Sequence, residues 1–256
     1  MLEYPEIDPV ALSLGPVTVY WYGVMYLVGF AVGWWLLHRR AERFGWTTNQ
    51  AADILFWGAV GVIAGGRIGY LLFYVPEQFF ADPLMLVRLG QGGMSFHGGF
   101  LGVLIALWLY VRKQGRGFFE VMDFVAPVVP IGLGLGRIGN FINGELWGKP
   151  TDGPWGMVVD GVARHPSQLY QFALEGVVMF VVLWLYSAKH PPVRAVSGLF
   201  ALLYGVFRIA VEFVRLPDAH IGYLAFGWLT MGQLLSLPLV IVGIWLLMSA
   251  YRGRAA

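Results

Sequence analysis

Long apolar runs alternate with short polar stretches along the whole chain. Seven runs approach or exceed the roughly 20 residues needed to cross a bilayer. They cover about 17–37, 53–75, 96–111, 119–141, 167–187, 195–214 and 227–250. Gly-Gly and Pro residues interrupt the edges of the third and fourth. The pattern predicts an all-α, polytopic integral membrane protein with seven transmembrane helices. No connecting stretch is long enough for a second soluble domain, so residues 1–256 read as one transmembrane domain. The longest irregular stretch, about 142–166, is rich in Gly, Pro and polar residues and is expected to be a structured loop.

Basic residues give the runs a direction. Arg39, Arg40, Arg43, Arg112, Lys113, Arg116, Lys189, Arg194, Arg252 and Arg254 all fall in alternate loops or the tail. The opposite loops hold only Arg88, Lys149, Arg164 and Arg215. Lys and Arg accumulate on the cytoplasmic side. The N-terminus is then expected outside, on the periplasmic face, and the C-terminus inside, which requires an odd number of spans. The first fifteen residues carry Glu3, Glu6 and Asp8 and no basic residue, the reverse of a cleavable signal peptide.

Composition agrees with lipid as the solvent. Of the 256 residues 58% are hydrophobic and 12% charged, against about 25% charge in an average soluble domain. Eleven Trp, twelve Tyr and eighteen Phe suit aromatic belts at two interfaces. Glycines at four-residue spacing, Gly61, Gly65 and Gly69 in one row and Gly132 and Gly136 in another, suit close helix packing. A net charge of +2 argues against nucleic acid as a partner. With no cysteine, the chain has no thiolate nucleophile and no disulfide framework, so any thiol chemistry comes from a substrate. The five histidines, His38, His97, His165, His190 and His220, include no pair at metal-ligand spacing. No phosphate-cradling Gly-x-x-x-x-Gly-Lys-Ser/Thr loop is present. Neither metal nor nucleotide cofactor is expected.

Three arginines lie within the spans: Arg67, Arg137 and Arg208. A cation inside a bilayer is costly and points to function or to a specific partner. All three fall in the later parts of outward-running spans, and Tyr22 and His97 lie near outer ends as well. Arg67 is expected to pack its span rather than act. Tyr204, Arg208 and Glu212, four residues apart, share one helix face. The trio can bind an anion through Arg208, or serve only as a satisfied ion pair between helices. Residues 136–148, Gly-Arg-Ile-Gly-Asn-Phe-Ile-Asn-Gly-Glu-Leu-Trp-Gly, pack an Arg, two Asn and a Glu among glycines. Glycine admits close backbone approach and Asn both donates and accepts. Gly-Arg-Ile-Gly recurs at 66–69 and 136–139, by parallel repetition or by coincidence.

The 136–148 run resembles the signature of the prolipoprotein diacylglyceryl transferases. Trp21-Tyr22-Gly23, Ser95-Phe96-His97-Gly98-Gly99, Arg164-His165-Pro166-Ser167-Gln168-Leu169-Tyr170 and Tyr204-Gly205-Val206-Phe207-Arg208 agree with the same family. The outer loop between Gly148 and Arg164 looks shorter than in many members. The resemblance implies a single catalytic domain over 1–256 in the bacterial inner membrane, its site toward the periplasm and its 142–166 loop contributing. Phosphatidylglycerol would donate its diacylglyceryl group to the lipobox cysteine of a prolipoprotein, releasing glycerol-1-phosphate. The residues implied in catalysis are His97, Tyr204, Arg208 and Glu212. Those implied in substrate binding are Arg137, Asn140, Asn143, Glu145, Gly148 and Tyr22. His97 is the leading candidate base, with Tyr204 or a bound water as alternatives. The competing class is a lipid transporter or scramblase, whose site would sit nearer the bilayer midplane.

Overall fold

The computed structural model describes residues 2–15, 17–88, 90, 92–217 and 222–252; His220 and Arg254 lie outside them. All seven predicted segments are helical. They form α1 (Trp21–Arg40), α2 (Thr48–Phe73), α4 (Phe96–Lys113), the pair α5 (Phe118–Val125) and α6 (Val129–Ile142), a continuous helix over 167–187, α9 (Ala195–Glu212) and α10 (Met231–Arg252). The 167–187 helix begins as α7 (Ser167–Gln171), widens to a π-helical turn at Phe172–Val178 and ends as α8 (Met179–Ser187). A short α3 (Pro76–Ala81) follows α2. Among the described residues, α2, 167–187, α9 and α10 are long and apolar enough to cross a membrane. The α5–α6 pair, bent by 49°, makes a fifth such span if taken as one. Helices α1 and α4, at 20 and 18 residues, are long enough but less apolar, because Trp, Tyr, His and terminal basic residues interrupt them.

The chain is mostly helical but not all-α. Strand β1 (Leu2–Glu3) runs parallel to β4 (Met157–Val159), which pairs antiparallel with β5 (Val162–Arg164). Strands β2 (Val10–Leu14) and β3 (Val17–Tyr20) form a hairpin. Residues 17–20, expected as the first turn of a span, are therefore a strand. Val-Thr-Val-Tyr is β-branched and aromatic, and so short an apolar run fits a strand as well as a helix.

Two compact units emerge. One comprises the residues up to Trp35 and those from Met122 onward; the other is Leu36–Val121.

In the Leu36–Val121 unit, α2 and α4 meet along the first glycine row. A Cβ on Gly61 would lie 2.6 Å from the Gly102 carbonyl oxygen, one on Gly65 2.7 Å from the Gly102 Cα, and one on Gly69 2.8 Å from the Gly98 Cα. Small residues let helix backbones approach this closely. The buried Arg67 projects from α2 and donates to the carbonyls of Met85, Arg88, Gly92 and Gly93. It thereby organises the segment between α3 and α4, in keeping with its expected packing role.

In the other unit, α6 crosses the π-helical turn at Gly134 and Gly176; a Cβ on Gly176 would sit 2.9 Å from the Gly134 Cα. The predicted Gly132–Gly136 row is not this seam. A Cβ on Gly29 of α1 would lie 3.6 Å from the Gly132 Cα, whereas a Cβ on Gly132 or on Gly136 would meet open space. Helices α9 and α10 close on Gly198, Gly205 and Gly243. A core of Ala126, Met179, Leu183 and Val196 lies beneath, with Tyr204 and Phe207 packed on it. Large apolar side chains such as Val181, Leu185, Ile241 and Trp245 remain exposed on the helix faces, as a lipid-facing surface requires.

Candidate active site

The polar residues of the first unit gather at one end of its helices. The start of α1, the end of α6, the start of the 167–187 helix, the end of α9 and the start of α10 meet there. Helix α6 ends on Asn143, and the Tyr4 hydroxyl donates to the Phe141 and Ile142 carbonyls at 2.8 and 3.0 Å. These are among the carbonyls a helix end leaves without internal partners. Burial pushes the pKa of the Tyr4 hydroxyl up, so it keeps the proton it donates. The chain then turns through Gly144 and Leu146, both at positive φ. Ser167 Oγ donates to the Leu146 carbonyl at 2.7 Å, Gln168 Nε2 donates to the Glu145 carbonyl, and Trp147 Nε1 donates to the Gly144 carbonyl at 2.9 Å. The 142–166 stretch is thus a built loop, as expected.

Gly148 marks a tight backbone crossing. Its N–H donates to the His165 carbonyl at 2.8 Å, and a Cβ there would lie 2.6 Å from the Val214 carbonyl oxygen. Beside it, burial and the Lys149 charge hold the His165 imidazole below its ordinary pKa.

An open groove of about 840 Å³ lies against this loop. Its lining includes Tyr22, Gly23, Asn140, Asn143 and Glu145, with Thr18 to Tyr20 of β3 along one edge. Asn143 Nδ2 donates to Glu145 Oε1 at 2.7 Å. The Tyr22 ring packs on Gly139, where a Cβ would lie 2.6 Å away.

Behind the groove is a network of charge. Arg137 donates through Nη1 to Asn140 Oδ1 at 3.3 Å and sits 3.9 Å, Nε to Oε2, from the fully buried Glu175. Gln171 Nε2 donates to Glu175 Oε1 at 3.3 Å, and Glu175 Oε2 has no hydrogen-bond partner. Arg208 reaches Glu212 Oε1 at 2.7 Å, and Arg215 reaches the same oxygen at 2.9 Å. Thr230 Oγ1 donates to Glu212 Oε2 at 2.6 Å. Arg208 Nη1 is buried and has no acceptor among the described residues. Tyr204 and the three arginines lie within range of the Glu175 charge, and Tyr22 within range of Arg137 and Glu145. Arg137 is thus joined to the groove wall through Asn140, and its planar fork, like that of Arg208, has the geometry that suits phosphate or carboxylate oxygens.

A family model described as prolipoprotein diacylglyceryl transferase matches residues 9–249. The chain belongs to the prolipoprotein diacylglyceryl transferase family. It is 59% identical to a phosphatidylglycerol–prolipoprotein diacylglyceryl transferase of Azotobacter vinelandii, covering 100% of this chain and 98% of that protein. It is 58% identical to one of Ectopseudomonas mendocina, covering 99% and 98%. A relative of the same name from Pseudomonas aeruginosa is also 58% identical, over 100% and 98%.

In this member of the transferase family, Tyr22, Arg137, Asn140, Asn143, Glu145, Tyr204, Arg208 and Glu212 all fall in one unit and around one site. Gly148 is there too, though its geometry is that of a close crossing. Tyr204 stacks parallel on Phe200, ring centroids 6.2 Å apart. His97 belongs to the other unit, exposed in the first turn of α4 with its ring edge-on to Phe96. Ser95, two residues before it, caps α4 by accepting from the Gly98 N–H at 3.2 Å rather than joining His97 in a dyad. Glu175, Arg215 and Thr230 escaped the sequence reading. A lone acidic residue in the apolar run 167–187 is itself a signal of function, and Arg215 stands three residues from Glu212, on the same face.

Proposed function

We propose that this chain transfers the diacylglyceryl group of phosphatidylglycerol to the cysteine thiol of a prolipoprotein lipobox, as a transferase needing no cofactor. It does so as one catalytic domain of seven spans in the bacterial inner membrane, with its site toward the periplasm. The observation that carries the reading is Arg137, bonded to Asn140 on the wall of the Tyr22–Asn140–Asn143–Glu145 groove and within electrostatic range of Arg208. Pairing of Leu2–Glu3 with Met157–Val158 supports the topology, since strands pair only when both lie on one side of the bilayer.

The reaction displaces a phosphate from an sp³ carbon. The thiolate sulfur forms a C–S bond with the glyceryl carbon. The C–O bond breaks, its electron pair staying on the phosphate oxygen of departing glycerol-1-phosphate. The thiol proton must go to a base, and negative charge grows on the phosphate. Arg137 binds that phosphate, and Arg208, held by Glu212, stabilises the charge as it develops. Asn140, Asn143 and Glu145 orient the headgroup glycerol, and Tyr22 contacts lipid or peptide. Gly148 keeps the loop against the site. His97 takes the thiol proton, with Tyr204 as the alternative donor or base. A transporter would have no use for a groove at the helix ends that carries Asn140, Asn143 and Glu145 on its wall.

The test gives the purified protein phosphatidylglycerol and a lipobox peptide and weighs the peptide. The expected product carries one diacylglyceryl unit on cysteine. Arg137→Ala abolishes it while leaving the protein folded; near-normal turnover by that variant overturns the phosphate role.

A further inference from the structure

Glu175 is a carboxylate with no assigned task. It lies in the only π-helical turn among the described residues. Such turns concentrate at functional sites because the extra residue displaces a side chain from the regular helical register. Its side chain is wholly buried, 3.9 Å from the Nε of Arg137, and the facing oxygen accepts no hydrogen bond. A carboxylate set only to fix Arg137 would take two parallel hydrogen bonds from the guanidinium. Here the hydrogen-bonding donors of Arg137 are left for Asn140 and for a ligand, and Glu175 contributes charge at slightly longer range.

The connected network holds three guanidiniums, Arg137, Arg208 and Arg215, and two carboxylates, Glu175 and Glu212. Its net charge is one positive. The lipid donor is a phosphodiester carrying one negative charge and brings the network to neutrality. The product is a phosphomonoester that becomes a dianion once the thiol proton has gone to solvent, and it leaves one negative charge in excess. Attraction to the site grows in proportion to ligand charge, whereas the cost of stripping water from the ligand grows as its square.

We infer that Glu175 is a charge-setting residue, tuning the site to hold the monoanionic lipid and to let go of the dianionic glycerol phosphate. This rests on the transferase reading above. Removing the Glu175 charge makes the site retain its product.

The test measures inhibition of the full-length enzyme by two probes, glycerol-1-phosphate and its methyl diester, which match in shape and differ by one charge. Wild type is expected to bind the two within about threefold. Glu175→Gln, which keeps size and the bond to Gln171, is expected to shift the ratio about tenfold toward the dianion. Its kcat should fall as product release slows, with KM for phosphatidylglycerol unchanged or lower. Glu175→Asp keeps the charge and should restore the wild-type ratio. A merely structural Glu175 would change stability and leave the inhibitor ratio alone, and that result overturns the inference. Should Glu175→Gln fail to accumulate, the wild-type ratio decides: a tenfold preference for the dianion overturns the inference. A wild-type protein that adds no mass to the peptide would instead overturn the transferase reading.

Discussion

Arg208 and Glu212 meet through one nitrogen and one oxygen, Nη2 to Oε1 at 2.7 Å, leaving Nη1 of Arg208 buried without an acceptor among the described residues. Arg215 shares that oxygen and Thr230 takes the other, so Glu212 is fully engaged while Arg208 is not. An arginine gripped at one corner is aimed, with its other donor reserved. A phosphate is the natural acceptor for it.

Thr230 should therefore matter to catalysis although it need touch no substrate. Thr230→Val removes a hydrogen bond to a buried carboxylate, worth about 1–3 kcal/mol. A fall in thermal stability is expected together with a loss of kcat, and Thr230→Ser should restore both. Glu212→Gln should cost turnover on the order of 100-fold, because misaimed groups lose that much. Steady-state kinetics of the peptide reaction reads both effects.

His97 is exposed and caps nothing, so its replacement should leave folding intact. His97→Gln is expected to lower kcat by 10²-fold or more, the usual worth of a general base, with KM for phosphatidylglycerol little changed. Normal turnover would move the base role to Tyr204 or to water.

Arg67 should behave in the opposite way. Arg67→Met strands the carbonyls of Met85, Arg88, Gly92 and Gly93, and several unsatisfied buried groups cost on the order of 3 kcal/mol or more. Yield and melting temperature should drop, while turnover per folded molecule stays near wild type.

The glycines separate into seams and spectators. Gly65→Val forces a side chain against the α4 backbone and should cost about 3 kcal/mol or more. Gly136→Ala meets open space and exchanges a poor helix former for a good one, worth up to about 1 kcal/mol in its favour. Thermal melts of the two variants should move in opposite directions.

Much of this was legible from residue order. Apolar runs marked every long helix, the spacing of Gly61, Gly65 and Gly69 marked the α2–α4 seam, and the 136–148 run marked the wall of the groove. What was hidden had physical reasons. Val17–Tyr20 is too short an apolar stretch to separate strand from helix. The Gly134–Gly176 seam depends on a π-helical turn, which shifts facing residues in a way four-residue spacing does not capture. Arg215 read as a loop charge because it lies past the end of its apolar run, although its three-residue spacing from Glu212 is the signal that pairs them.

The Tyr4 bond to the end of α6 sets an order of events. Donor and acceptors are separated by 137 and 138 residues, and β1 waits still longer for β4. Contacts this distant along the chain form late. The Tyr4 segment is thus fastened late, and until it is, the Ile142 carbonyl that ends the helix carrying Arg137 lacks the donor it has in the finished fold. A ribosome must therefore have passed Val159 before this end of the site can be sealed, and a fragment that stops short of β4 leaves it unfastened.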